Sequence, residues 1–401
     1  MERRITMNKI ILTLLLTTSL AASANAQNCV NPSRCAELGY RDDVGKCSGR
    51  KTLLCPFDSN KAFCIDPDGG SGFYTCDDFL EAIKEVDGVI YLSRGLECDM
   101  TGKSTSIRFA EGLKVIGTAD QPKIEFINFG ENKPTLTLPG RNTFENLRIV
   151  NADISVSGND KFINIQAENI SGDADITFDG ANKAVRVNTC NSGNTTTVTA
   201  GSSLEATSDF NALGEINGTL NSPTINTYCN VSGKQTIFNG SIIGCRISRA
   251  VINGKYQSNC TPEHHEYITV NSPYLVKKGM WLWRYSTINA KVYAYYDHFS
   301  FLNKVFYRTT VNTGGEVWSN FNDKGIDSST SDIFIGESSF KKGVKIAFYS
   351  SKYPAINGIW EAKNDIENLS IKGSDVKTAA ELKKYFTRIG DWDGTEPDSI
   401  N

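Results

Sequence analysis

Between Pro134 and Leu204 apolar residues arrive in pairs, with one polar residue between the members of each pair. Leu136 and Leu138 flank Thr137, Leu147 and Ile149 flank Arg148, and Ile154 and Val156 flank Ser155. Ile163 and Ile165, Ile176 and Phe178, and Val185 and Val187 follow, around Asn164, Thr177 and Arg186. Alternation with period two predicts short strands that bury one face. In this register Ile163 faces the interior and Asn164 faces solvent. The pairs also recur. Leu136, Ile154, Ile176 and Val198 form one series and Leu147, Ile163, Val185 and Leu204 another, with steps of 16–22 residues. One such rung cannot bury its apolar face alone, so repetition at this period predicts a stacked coil, a mainly β solenoid of parallel strands. Gly140, Gly158, Asn159, Gly172, Gly180 and Asn182 mark its corners, since both residue types tolerate left-handed backbone. Hairpins of an antiparallel sandwich would alternate similarly; the two interleaved series favour the coil.

The coil has a predicted start. Phe79, Leu80, Ile83 and Val86 recur at helical spacing behind Thr75, Asp77 and Asp78, which suit the first turn of a helix. Such a helix would cover the open edge of the first rung. The phrases Val-Ile-Tyr-Leu-Ser-Arg-Gly at 89–95 and Leu-Lys-Val-Ile-Gly-Thr at 113–118 follow it. Helix, acidic-Gly turn and these phrases together resemble the N-terminal cap and opening rungs of the pectin-lyase-like superfamily. The resemblance covers about residues 75–256 and implies a right-handed parallel β-helix. Toward its end, runs of Thr and Asn suit hydrogen-bonded ladders along the stack.

The flanks narrow the class. Arg3, Arg4 and Lys9 precede the apolar run Ile10–Leu20 and the small-residue site Ala24-Asn25-Ala26, so residues 1–26 read as a signal peptide. The protein is expected to be exported: periplasmic, cell-surface or extracellular. Removing those residues takes away three basic side chains and one acidic one, leaving a net charge of −5. That mild charge offers no case for nucleic acid or anionic membrane as partner. No other apolar run reaches spanning length.

All eleven cysteines follow the signal segment. Cys29, Cys35, Cys47, Cys55 and Cys64 belong to a head over 27–66, joined by a Gly-rich linker at 67–74 to the coil over 75–260, which holds Cys76, Cys98, Cys190, Cys229, Cys245 and Cys260. In an exported chain these are disulfide candidates. The head has few aliphatic residues, so cross-links must supply its order. It lacks the close Cys-x₂-Cys spacing and any His that zinc would favour, and it resembles a short cysteine module of secreted bacterial proteins. Cys76 and Cys98 are placed to staple the capping helix to the first rung.

Residues 261–372 hold 20 of the 40 aromatic residues of the chain, which predicts a β-rich extension. Trp281, Trp283, Tyr285 and Tyr295 are its candidate ligand contacts, because aromatic rings stack on sugars as readily as they fill a core. Within 373–401, Ser374 and Asp375 open a predicted helix through Ala379, Leu382 and Phe386, followed by a loose acidic tail from Asp391.

The superfamily resemblance sets a catalytic expectation. Its hydrolases carry an Asn-Thr-Asp, a paired Asp-Asp, a Gly-His-Gly and an Arg-Ile-Lys on successive rungs, with two carboxylates for acid and base work. The nearest phrases here are Asn188-Thr189-Cys190 and Arg246-Ile247-Ser248, and no His precedes Glu263. Its calcium-dependent lyases carry an aromatic-x-Asp-His phrase, to which Tyr295-Tyr296-Asp297-His298 is similar, making Asp297 and His298 the catalytic candidates of that alternative and calcium its only cofactor. His264 and His265 point to opposite faces of a strand and cannot chelate together, so no metal site is expected. The reading is an exported, non-enzymatic β-solenoid that binds glycans or a cell surface, without cofactor. The alternative is a polysaccharide lyase or hydrolase acting on uronate polymers.

Overall fold

Strand pairs with strand in parallel register, one rung to the next. The computed structural model describes residues 62–65, 76–84 and 89–396, apart from 93–94, 118, 191–193, 228–234, 245–246, 259–262, 277–279, 297–304 and 322–332. The chain divides into two compact units, Met1–Glu168 and Asn169–Asn401. Each is mainly β, with its strands distributed over two sheets, an arrangement consistent with a β-helix.

In the first unit, Val89–Leu92, Lys114–Gly117, Thr143–Glu145 and Asp160–Ile163 are parallel neighbours that set Ile90, Val115, Phe144 and Phe162 directly in file. All four side chains are at most 1% exposed, so the file is a core and not a surface stripe. The second sheet repeats the device with Leu96, Ile124 and Ile149, and with Ile107, Leu136 and Ile154. Each such side chain contributes about 1.5–3 kcal/mol by leaving water.

Helix α1 (Cys76–Ala82) buries Phe79. Its ring starts an aromatic file, 6.2 Å to Phe109, then 5.3 Å to Phe144 and 6.1 Å to Phe162. Cys76 is disulfide-bonded to Cys98 on strand Leu96–Asp99, the expected staple. Ala62–Ile65, which the sequence assigns to the head, is a strand parallel to Val89–Leu92.

In the second unit one sheet stacks Phe178, Val198, Ile216, Phe238, Ile252, Val270, Ile288, Val311 and Phe340 over successive parallel strands. The other stacks Leu204, Leu220, Ile242, Tyr256, Tyr274, Val292, Val317 and Ile346. The aromatic-rich stretch therefore continues the parallel stacking as far as strand Lys345–Ser350. Beyond it pairing turns antiparallel: Gly358–Ala362 joins Lys345–Ser350, Phe386–Gly390 joins Gly358–Ala362, and Ile366–Lys372 joins Ile333–Phe340.

The ladder of polar turns is present in the second unit. Side-chain amides link Asn312 to Asn289, Asn289 to Asn271, Asn271 to Asn253, Asn253 to Asn239 and Asn239 to Asn217 at 2.6–2.8 Å. Around Asn217, Asn239 and Asn253 the turns stack so closely that the next residue is glycine. A Cβ on Gly240 would lie 1.8 Å from the Gly218 carbonyl, and one on Gly254 would lie 1.8 Å from that of Gly240.

Several expectations are corrected. Ile163 is half-buried while Phe162 is fully buried, and Asn164 sits in left-handed backbone at φ 51°, turning the corner within the expected strand. Val185 is 44% exposed, because a bulge between Ala184 and Arg186 shifts the register and leaves Ala184 and Val187 inside. The two residue series mix sheets: Leu136 stacks with Ile154 on one, whereas Phe178 stacks with Val198 on the other. The C-terminal helix is interrupted. A 3₁₀ turn, Gly373–Lys377, is separated from α2 (Ala380–Tyr385) by Ala379 at φ 54°, and Phe386 opens a strand. Cys190 is disulfide-bonded. Cys29, Cys35, Cys47, Cys55, Cys229, Cys245, Cys260 and the signal segment lie outside the described residues, and of Cys64 only the backbone is described.

Candidate functional site

One corner of the second unit carries unusual side chains. Strands Glu263–Glu266, Met280–Arg284, Phe306–Tyr307 and Ile333–Phe340 lie in parallel on one sheet. Along their edge the chain turns through left-handed residues: Arg249 at φ 48°, Tyr267 at 54°, Tyr285 at 49°, Arg308 at 47° and Glu337 at 46°. Main-chain bonds fix the column, since the amide N–H of Arg249 donates to Glu266, Tyr267 to Arg284, Tyr285 to Tyr307 and Arg308 to Gly336, all at 2.9–3.0 Å. Bulky residues are rare in this conformation, and each costs about 1–3 kcal/mol.

What this backbone displays is a row of tyrosines braced by guanidinium groups. The rings of Tyr267 and Tyr285 stack at 4.7 Å with an interplanar angle of 4°, and Tyr307 meets Tyr285 edge-on at 5.6 Å. Arg249 lies 5.5 Å from the Tyr267 ring, Arg284 5.1 Å from Tyr285, and Arg308 5.3 Å from Tyr307. Glu266 accepts from Arg284 at 2.6 Å, and Glu337 accepts from Arg308 at 2.7 Å. Its hydrogen bond to Glu337 holds the Arg308 guanidinium above its usual pKa. Tyr267 is 40% exposed and Tyr285 and Tyr307 are half-buried, so the row reaches solvent and is not a core. With their faces stacked on one another and on guanidinium groups, the rings present edges and hydroxyls beside fixed donors and acceptors, a surface that can pack along a pyranose and bond its hydroxyls.

The sequence candidates scatter. Tyr285 belongs to the row. Trp283, on the adjacent position, is fully buried, packed 5.3 Å from His265 and 5.5 Å from Tyr274, which corrects its assignment to a ligand surface. His265 is also buried, with its Nδ1 3.3 Å from the Tyr274 hydroxyl. Tyr295 is half-buried on the other sheet against Tyr293 and Leu275. The side chain of Trp281 and all of Asp297 and His298 lie outside the described residues. Thr189 is buried and bonded to Thr196 at 2.7 Å, so the phrase Asn188-Thr189-Cys190 faces the interior with its central side chain. Among the described residues no three His, Cys, Asp or Glu side chains converge as a metal-holding group.

Arg249, Tyr267, Arg284, Tyr307 and Arg308 escape the sequence reading, although a signal for them exists. Arg249-Ala-Val-Ile-Asn253, Tyr267-Ile-Thr-Val-Asn271, Tyr285-Ser-Thr-Ile-Asn289 and Arg308-Thr-Thr-Val-Asn312 are one repeated phrase. It runs from the corner residue through the strand to the asparagine ladder, so aligning on its asparagine brings the corner residues together. No family model, curated protein or solved structure matches the chain.

Proposed function

We propose that this is an exported, non-enzymatic β-solenoid of the right-handed, pectin-lyase-like kind that binds glycans through the Tyr267, Tyr285 and Tyr307 row. The observation that carries the reading is the stacked pair Tyr267 and Tyr285, one exposed and one half-buried, both standing on left-handed backbone where asparagine or glycine would cost less. A residue retained at a strained, exposed corner is explained by what it touches outside the protein. The disulfides suit an oxidising compartment. Fold kinship alone would assign no activity, and the superfamily phrases for acid and base chemistry are incomplete in this sequence.

The test is a glycan array followed by titration with the parent chain and the double variant Tyr267→Ala, Tyr285→Ala. The parent is expected to bind at least one glycan class, and the variant to lose about 1.4–3 kcal/mol, or roughly 10- to 150-fold, of that affinity. Parent and variant binding alike would remove the corner as the site. Unsaturated products from a uronate polymer with calcium would replace the proposal with a lyase.

A further inference from the structure

A second aromatic surface lies on the other sheet of the same unit, and the chain itself occupies it. Parallel register places Tyr293 beside Trp318, and Tyr295, Asn320 and Tyr349 in file one step further along. All of these point away from the core column of Val292 and Val317. They form the walls of a trough. Residues that the sequence reads as a loose acidic tail fold back over it. The Trp392 ring meets Trp318 edge-on at 5.1 Å, Tyr293 at 6.3 Å and Tyr349 at 6.4 Å.

The tail holds itself in a small hairpin. Trp392 Nε1 donates to the Thr395 carbonyl at 2.9 Å, and Asp393 accepts from the Thr395 amide and hydroxyl at 2.9 and 2.7 Å. Among the described residues two hydrogen bonds tie its tip to the trough: Tyr293 Oη and Asn320 Nδ2 both donate to the Gly394 carbonyl, at 3.3 and 2.6 Å. Closing the strap also buries a Glu396 carboxylate oxygen with no hydrogen-bond partner among the described residues, a cost that opening would relieve.

We propose that the trough is a sugar-binding site distinct from the corner row, and that Trp392–Thr395 is its displaceable occupant. The strap presents what a pyranose would present: a ring-sized apolar body between aromatic walls, and one oxygen acceptor for Tyr293 and Asn320. The surface also continues past the strap. Along the same outer file Ile243, Gln257 and Leu275 lead to Tyr293, and a shallow depression of about 270 Å³ lies over Ile243, Gln257 and Leu275. At ordinary strand spacing the file from Ile243 to Trp318 is about 19 Å long, enough for several residues of a glycan chain. No strap residue lines the depression, and Trp392 packs against the Leu275–Tyr293 pair at its near end, so an extended chain can enter over Ile243 and Gln257 and displace Trp392 as it advances.

A closed strap lowers apparent affinity by the fraction of time the site is open. The test uses the full chain with cellohexaose, xylohexaose and laminarihexaose as probes. Trp392→Ala is expected to raise affinity for at least one probe about tenfold. Gly394→Ala should do the same with every wall residue left in place, because its Cβ would lie 2.5 Å from the Tyr349 ring on backbone at φ 87° and so push the strap out. Adding Trp318→Ala should cancel the gain, whereas adding Tyr285→Ala should leave it intact, which separates this site from the corner. In the parent, a saturating probe should speed amide exchange at 391–396 and not in the core strands. Folded Trp392→Ala and Gly394→Ala variants that bind no probe better than the parent would overturn the proposal. So would a parent whose strap stays equally protected at millimolar concentrations of every probe.

Discussion

The two units meet the same backbone demand with different residues. Both turn corners through left-handed positions. Among the described residues of the first unit, four of the six non-glycine residues there are asparagine: Asn128, Asn146, Asn151 and Asn164, beside Gln121 and Arg141. Asparagine visits this region at little cost and can also bond the neighbouring rung, as Asn164 does when its side-chain amide donates to Asn146 at 3.1 Å. In the second unit the column reads Arg249, Tyr267, Tyr285, Arg308 and Glu337 before Asn368. A corner filled with asparagine is solving a folding problem. A corner filled with tyrosine and arginine carries strain that asparagine would avoid, which the proposed glycan site would explain. In the first unit the costly residue is inside: Asp160 is 3% exposed, its Oδ1 accepts from the Asn142 amide at 2.9 Å, and its Oδ2 has no partner among the described residues.

The largest expected effect tests where the core of the first unit lies. Phe162→Ala should lose about 3–5 kcal/mol of stability, and Ile163→Ala less than about 1 kcal/mol, by urea unfolding. Equal losses would mean that the corner at Asn164 is misplaced. Next comes Asp160. Burial pushes its carboxyl up to about 7 from an ordinary 3.8. The folded state therefore holds the proton more tightly than the unfolded chain. This group opposes folding progressively as pH rises from about 4 to 7, and fully above that. Asp160→Asn should raise stability at pH 8 by about 1–3 kcal/mol, change little near pH 4, and flatten the profile between. A wild-type profile already flat over that interval would remove the buried charge as the first unit's liability. The smallest effect on stability belongs to the second unit's corner. Tyr285→Asn relieves strain but loses the stack on Tyr267, so its melting temperature should match the parent or exceed it by about 1–2 °C.

Much of the architecture was legible because period-two alternation survives wherever a strand is straight. Leu136 with Leu138, Ile154 with Val156 and Ile176 with Phe178 are buried as the pattern requires, and the Cys76–Cys98 bond links the helix to its strand. The reading failed where the backbone resets the period within a few residues. At Ile163 the reset is a left-handed asparagine, and at Val185 it is a bulge. Neither device has a strong local signature. Trp283 and Tyr285 show the same limit at the site: one residue apart lies Arg284, then a corner, and the two aromatics end on opposite sides of it. Their chemistry is alike in the sequence; only the turn separates core from display. The tail was misread because its acidic composition hides one tryptophan with a place to dock.

The claim that the second unit's corner is held in strain for display is tested most directly by melting Tyr285→Asn and titrating it with the best glycan from the array. The account predicts an unchanged or higher melting temperature together with at least about tenfold weaker binding. Undiminished binding, or a variant several kcal/mol less stable than the parent, would contradict it.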